Sequence, residues 1–251
     1  MWGIHAFQET IDEAGAYTEI AAVPDQVTKA IGDYIYVPKT NKLCACYAAT
    51  GATIPGIPYL DAPSLRRQHV QYIHPVVGGL VSSTNTSLSD DIYNPITLQE
   101  GEGVKCMSNA NPVAAEVHTI VLMMSDGIIT PVKGEIFTLY YSAAITGVVG
   151  QWVSGNITLS QDLPIGNYSI VGGTFVGDNM IASRLIFNTQ MSRPGALGQL
   201  NAYRIYQFQS YLQYGRAGVW GTFHSLTPPQ LEILVIASCT SQTGYLQLIK
   251  M

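Results

Sequence analysis

Short runs in which apolar and polar residues alternate, or in which a few apolar residues stand together, recur along the chain and are cut by Gly, Pro, Asn and Asp. This is the period of half-buried or buried β-strands punctuated by turns. It predicts strands over 16–22, 34–37, 43–48, 68–73, 96–98, 104–108 and 116–124 in the first half. In the second half it predicts them over 136–145, 151–159, 167–176, 180–187, 202–208, 218–224, 231–237 and 245–249. Helical spacing is confined to 25–31 and to 200–211, and the Tyr, Phe and Gln of the latter also suit a strand.

The gaps between these strands leave no room for crossover helices, so the expected sheets are antiparallel and joined by hairpins and Greek-key connections. The chain reads as all-β, either one elaborate sandwich or two in tandem. Asp126-Gly127 and Pro131 supply turn chemistry for a junction near 126–133, dividing 1–125 from 126–251. Residues 1–23 carry Trp2, Ile4, Phe7, Ile11 and Tyr17 and need burial; they are expected to form an arm lying on a neighbouring copy. A turn followed by an Arg-bearing apolar strand is read in both halves, at Ala62 to Arg67 and at Ala182 to Phe187.

Composition sharpens this picture. Only 12% of the 251 residues are charged, against roughly 25% in an average soluble domain. The 12 Lys and Arg and 17 Asp and Glu leave much of the exterior to Ser, Thr, Asn, Gln and the 15 Tyr, a neutral surface suited to protein contacts. A net charge of −5 and no basic cluster beyond Arg66-Arg67 argue against a nucleic-acid-binding surface. No apolar run approaches the ~20 residues of a membrane span. Glu9, Asp12 and Glu13 near the start do not fit a secretion signal, so the expected site of synthesis is a cytosol.

Candidate chemistry is sparse. Gly-x-Ser-x-Gly, His-Glu-x-x-His, the Walker loop and Gly-x-Gly-x-x-Gly are all missing, and Gly101-Glu102-Gly103 reads as a hairpin turn. Of His5, His69, His74, His118 and His224, the nearest pair is five residues apart, which on a regular strand places them on opposite faces. Cys44 and Cys46 would share a strand face, while Cys106 and Cys239 stand alone; buried thiols are the expectation for all four. The acidic pairs Asp90-Asp91 and Glu100-Glu102 fall in loops. Trp2, Trp152 and Trp220 are scattered over different strands, which favours packing over a sugar-stacking platform. Arg184 interrupts an apolar strand and needs a carboxylate or carbonyl partner. No catalytic, cofactor-binding or metal-ligating residue is expected, and no enzyme.

The stretch Leu163-Pro164-Ile165-Gly166-Asn167-Tyr168-Ser169-Ile170-Val171-Gly172, followed by Ala182 to Phe187, Arg193-Pro194-Gly195 and Gly218-Val219-Trp220-Gly221-Thr222-Phe223, resembles the jelly-roll half of major capsid proteins from tailless icosahedral viruses and phages. The resemblance covers roughly the last 120 residues and consists of strands and turns. It implies antiparallel jelly rolls, single or double, copies of the chain as partners in trimeric or pseudo-hexameric capsomers, further virion proteins beside them, and a place in the virion after assembly in the host cytoplasm. Two other classes stand beside it. One is a carbohydrate-binding sandwich of a spike or adhesin; the other is a cupin-like metal enzyme.

Overall fold

The computed structural model describes residues 1–11, 17–25, 29–50, 58–68, 94–109, 116–197, 207–209 and 215–251. His69, His74, Asp90 and Asp91 lie outside these residues, as do most of the strand expected over 68–73 and most of the helix or strand expected over 200–211.

The first half comprises β1 (Trp2–Ile11), β2 (Tyr17–Ile20), β3 (Lys29–Ile31), β4 (Tyr34–Tyr36), β5 (Lys42–Thr50), β6 (Tyr59–Asp61), α1 (Pro63–Gln68), β7 (Ile96–Thr97), β8 (Gly103–Asn109) and β9 (Glu116–Ser125). The second comprises β10 (Phe137–Ala143), β11 (Val153–Asn156), β12 (Thr158–Leu159), β13 (Asn167–Gly177), β14 (Met180–Ile186), β15 (Gly195–Leu197), β16 (Gln207–Gln209), β17 (Gly221–His224), β18 (Gln230–Val235) and β19 (Gln242–Lys250). All pairings between these strands are antiparallel, as the short connections require.

Four sheets stack in layers. Layer 1 runs β2-β8-β4-β3, with β6 also on β8, and layer 2 runs β1-β9-β5-β7. Layer 3 runs β11-β18-β14-β15, and layer 4 runs β12-β10-β19-β13-β16, with β17 also on β13. Each sheet is thus built from one half of the chain. Phe7, Leu43, Cys46, Ile120 and Leu122 of layer 2 meet Ile20, Ile35, Leu60, Val104 and Cys106 of layer 1 in one core. Between layers 3 and 4 the second core holds Ile181, Leu185, Leu231 and Ile233 against Tyr141, Tyr168, Phe175 and Leu246.

That second core also contains Trp2, Ile4, Ala6, Tyr47, Val121 and Met123 from the opposite face of layer 2. Layer 2 is therefore buried on both faces and forms the wall that joins the halves. A strand buried on both faces needs apolar residues on each, and Trp2 to Phe7 of β1 supply them apart from His5. The expected arm is corrected accordingly. Residues 2–11 pair with β9 of their own chain along ten registered positions, from Trp2 opposite Ser125 to Ile11 opposite Glu116.

Other local expectations are also revised. Within 25–31, Lys29–Ile31 is a strand, turned into β4 by Gly32-Asp33 with Gly32 at φ 58°, the conformation a two-residue hairpin asks of its first turn position. Ala62 to Arg67 is not a strand: Pro63 occupies the first helical position, where its missing N–H costs nothing, and Arg66 N–H donates to the Ala62 carbonyl at 3.0 Å. The match with Ala182 to Phe187 is therefore not structural. The strand expected over 151–159 divides into β11 in layer 3 and β12 in layer 4. Cys44 and Cys46 face opposite cores, because the register shifts between Leu43 and Ala45 and the extra residue reverses the alternation.

Gly195 shows how tightly the layers are built. It lies in register with Arg184, and a Cβ there would stand 1.9 Å from the Ser183 carbonyl oxygen. Only glycine permits that approach.

Candidate functional site

Arg184 is the centre of the seam between layers 2 and 3. Its side chain is 2% exposed, and it forms an ion pair and hydrogen bond with Glu232, its cross-strand neighbour on β18. It also donates to Asp25 Oδ2 at 2.6 Å and to the Ile4 carbonyl at 2.7 Å, with the Trp152 ring 4.1 Å beneath the guanidinium. The expected need for a carboxylate or carbonyl is met twice over. Asp25 escaped notice in the sequence because its segment was read as helix, and the Trp152 contact because nothing local links positions 152 and 184.

The seam opens into a cleft of about 680 Å³ lined by Asp25, Trp152, Arg184, Arg193 and Glu232 among others. Arg193 is held below its ordinary pKa, first by burial and then by Arg184. Its guanidinium donates to the Gln190 and Ser192 carbonyls, while its backbone N–H donates to the Trp2 carbonyl at 2.8 Å. Gln8 adds a polar bolt through the same wall, donating to Val235 O at 2.9 Å and to Thr119 Oγ1 at 2.7 Å and accepting from Gly150 N–H. Two arginines, each also donating to backbone carbonyls, set beside two carboxylates make a clamp between the halves.

The histidines are dispersed. His5 and His118 are buried and their pKa values fall to about 4, chiefly through desolvation; for His5 the Arg184 charge adds to the fall while Asp25 opposes it. His118 Nδ1 and Ser108 Oγ are 2.7 Å apart, the spacing of a nucleophile and its base, but both residues are buried between layers 1 and 2. No substrate could approach that hydroxyl. His224 lies in the β17 hairpin and accepts from the Leu226 N–H at 3.3 Å. Among the described residues no group of three His, Cys, Asp or Glu is placed to hold a metal ion.

All four cysteines are buried thiols, as expected. Burial drives Cys46 and Cys106 well above the ordinary thiol range, and Cys44 lies 3.4 Å from Ser125 Oγ. Trp2 and Trp220 are core residues. Arg66 pairs with Asp61, Arg67 donates to Ser64 Oγ, and Glu102 accepts from Ser64 and the Gln99 N–H, so the basic and acidic spots serve local structure. Among the described residues no helix is long and apolar enough to cross a membrane.

The outward faces of layers 1 and 4 carry the exposed aromatics. On layer 1, register places Tyr17, Glu19, Tyr34, Tyr36 and Tyr59 on one face with Lys105 and Met107. Tyr17 and Tyr59 meet edge to face at 5.2 Å, Tyr34 and Tyr36 stack at 6.2 Å, and Lys105 pairs with Glu19. On layer 4, Tyr140 and Tyr245 are direct cross-strand partners in edge-to-face contact at 5.5 Å, flanked by Thr138, Ser142 and Thr243. The alternation Tyr34-Ile35-Tyr36 already carried this signal, with the isoleucine inward and the tyrosines outward.

No family model, curated protein or solved structure matches the chain.

Proposed function

We propose that this chain is a structural virion protein, a major capsid protein built of two jelly rolls in tandem that assembles into trimeric or pseudo-hexameric capsomers. The observation that carries this reading is the order of strands. Taking β10, β11, β13, β14, β15, β17, β18 and β19 as first to eighth, layer 4 runs first, eighth, third, sixth and layer 3 runs second, seventh, fourth, fifth. A path that crosses between two facing sheets in this order, with only the fourth and fifth strands staying in one sheet, supports a jelly roll. In the first half the β1-β9-β5-β7 sheet is wired in the same order, while the facing sheet keeps β2-β8-β6 and has β4 and β3 beside β8 in addition.

Chemistry supports the same reading. Charge is scarce, the buried ionic groups are committed to a clamp between halves, and tyrosines stand on the two outermost sheets. Aromatic, weakly charged faces are what repeated protein contacts bury. The chain's partners on this reading are its own copies and other virion proteins, and its place is the virion.

The test is the state of association of the purified chain. Light scattering on a sizing column and negative-stain images should give trimers or larger rings at micromolar concentration. A monomer that persists at tens of micromolar would remove the capsomer reading.

A further inference from the structure

We propose that the chain binds a long-chain carboxylic acid, with the hydrocarbon tail in an apolar pocket beside the first strand and the carboxylate on Arg193. The pocket has a volume of about 390 Å³ and is lined by Met1, Trp2, His5, Pro38, Met191 and Arg193 among others. Residues 1–5 and 38–40 of the first half form one side of it, and Met191 and Arg193 of the second half form the other. It is complete within one chain, so its occupancy does not depend on assembly into capsomers.

The walls are held by backbone. The Trp2 N–H donates to Ser192 Oγ at 3.2 Å, that hydroxyl donates to the Trp220 carbonyl at 2.9 Å, and the Arg193 N–H donates to the Trp2 carbonyl at 2.8 Å. The segment bearing Met191 and Arg193 is thereby stitched to β1. The floor is bare backbone at Gly3, where a Cβ would stand 2.7 Å from His5 Nε2 and 3.3 Å from Thr40 Oγ1. Met1 and Met191, 47% and 66% exposed, flank the mouth. At about 25 Å³ per carbon, the ratio at which a cavity of about 150 Å³ takes benzene, the space suits a chain of about 12 to 16 carbons.

Arg193 supplies the head-group site. Its Nη1 donates to the Gln190 and Ser192 carbonyls at 3.0 and 3.2 Å, and among the described residues nothing accepts from its Nε or Nη2. That edge of a guanidinium is one that grips a carboxylate through two parallel hydrogen bonds. Among the described residues no carboxylate forms an ion pair with Arg193, since Asp25 and Glu232 are taken by Arg184. A half-buried cation so placed lacks the partner that burial calls for. The exposed Lys39 adds a second positive charge to the lining, and no acidic residue stands among the described residues that form it. Apolar walls edged by cations alone select an amphiphile with an anionic head over a neutral or cationic one.

Calorimetry with myristate tests the site. One molecule should bind per chain, and tetradecanol and tetradecyltrimethylammonium should bind about tenfold or more weakly, the cost of losing charge-assisted hydrogen bonds. Myristate brominated along its tail should quench the emission of Trp2, and Trp2→Phe should remove most of that quenching. Arg193→Gln should weaken myristate binding by a similar factor. Met191→Glu, at an exposed position that leaves the fold intact, should do the same by bringing a competing carboxylate to the mouth, and it decides the matter if the arginine variant fails to fold. Absence of binding at about 100 µM myristate, equal affinity for the three amphiphiles, unchanged affinity in Met191→Glu, or quenching undiminished in Trp2→Phe would each overturn the site while leaving the capsomer reading in place. A chain that binds myristate yet stays monomeric would overturn the capsomer reading and leave the site standing.

Discussion

Arg184 reaches 2.7 Å from the carbonyl oxygen of Ile4, so a strand from the second half of the chain is tied to the first strand, 180 positions away. The same guanidinium holds Asp25 and Glu232, whose side chains are 6% and 14% exposed. This cation therefore ties both halves of the chain at the seam, beside the Gln8 and Arg193 hydrogen bonds that also cross it.

Replacing Arg184 by Met strands two carboxylates in that seam. The expected loss is about 3–5 kcal/mol, the cost of removing one partner from a buried ionic group. Arg184→Lys keeps the charge but not the planar fork, and should fall between. Urea unfolding measures both; a Met variant within 1 kcal/mol of the wild type would rule out the clamp as a source of stability.

Acid should loosen the fold before its carboxylates titrate fully. The histidine reference pKa is 6.5, and burial brings both His5 and His118 to about 4 in the folded chain. The unfolded state then binds more protons in that interval, so the stabilisation is complete above pH 6.5 and is lost as pH falls toward 4. Urea midpoints taken across this range should decline in the wild type and decline less steeply in His118→Gln. Identical slopes would refute the assignment to His118.

Adding a single methyl group at position 195 should be costly. The Cβ of Gly195→Ala meets the backbone of Ser183 and Arg184, neither of which can swing away as a side chain could. A destabilisation of about 2 kcal/mol or more is expected, seen as a lowered melting temperature. An unchanged melting curve would mean that β15 does not approach β14 so closely.

Thiol chemistry offers a check on packing without mutagenesis. Cys44, Cys46, Cys106 and Cys239 are all buried, so iodoacetamide should label none of them in native buffer and all four in denaturant. Rapid native labelling of Cys46 or Cys106 would contradict the core between layers 1 and 2.

Alternation and turn residues alone determined that the chain is antiparallel β and where most strands lie. Those signals are local: a side chain every second position, and Gly, Pro or Asn where the backbone must turn. The tertiary structure decided the rest. β1 became the shared wall because both of its faces find apolar partners far away in sequence, which composition cannot distinguish from an arm. A shifted register beside Leu43 sent Cys44 and Cys46 to different cores, and Asp25 met Arg184 only when two sheets stacked. Pairing across 159 positions is a property of how sheets pack, and the free energy that selects it is gained only when the layers close on one another.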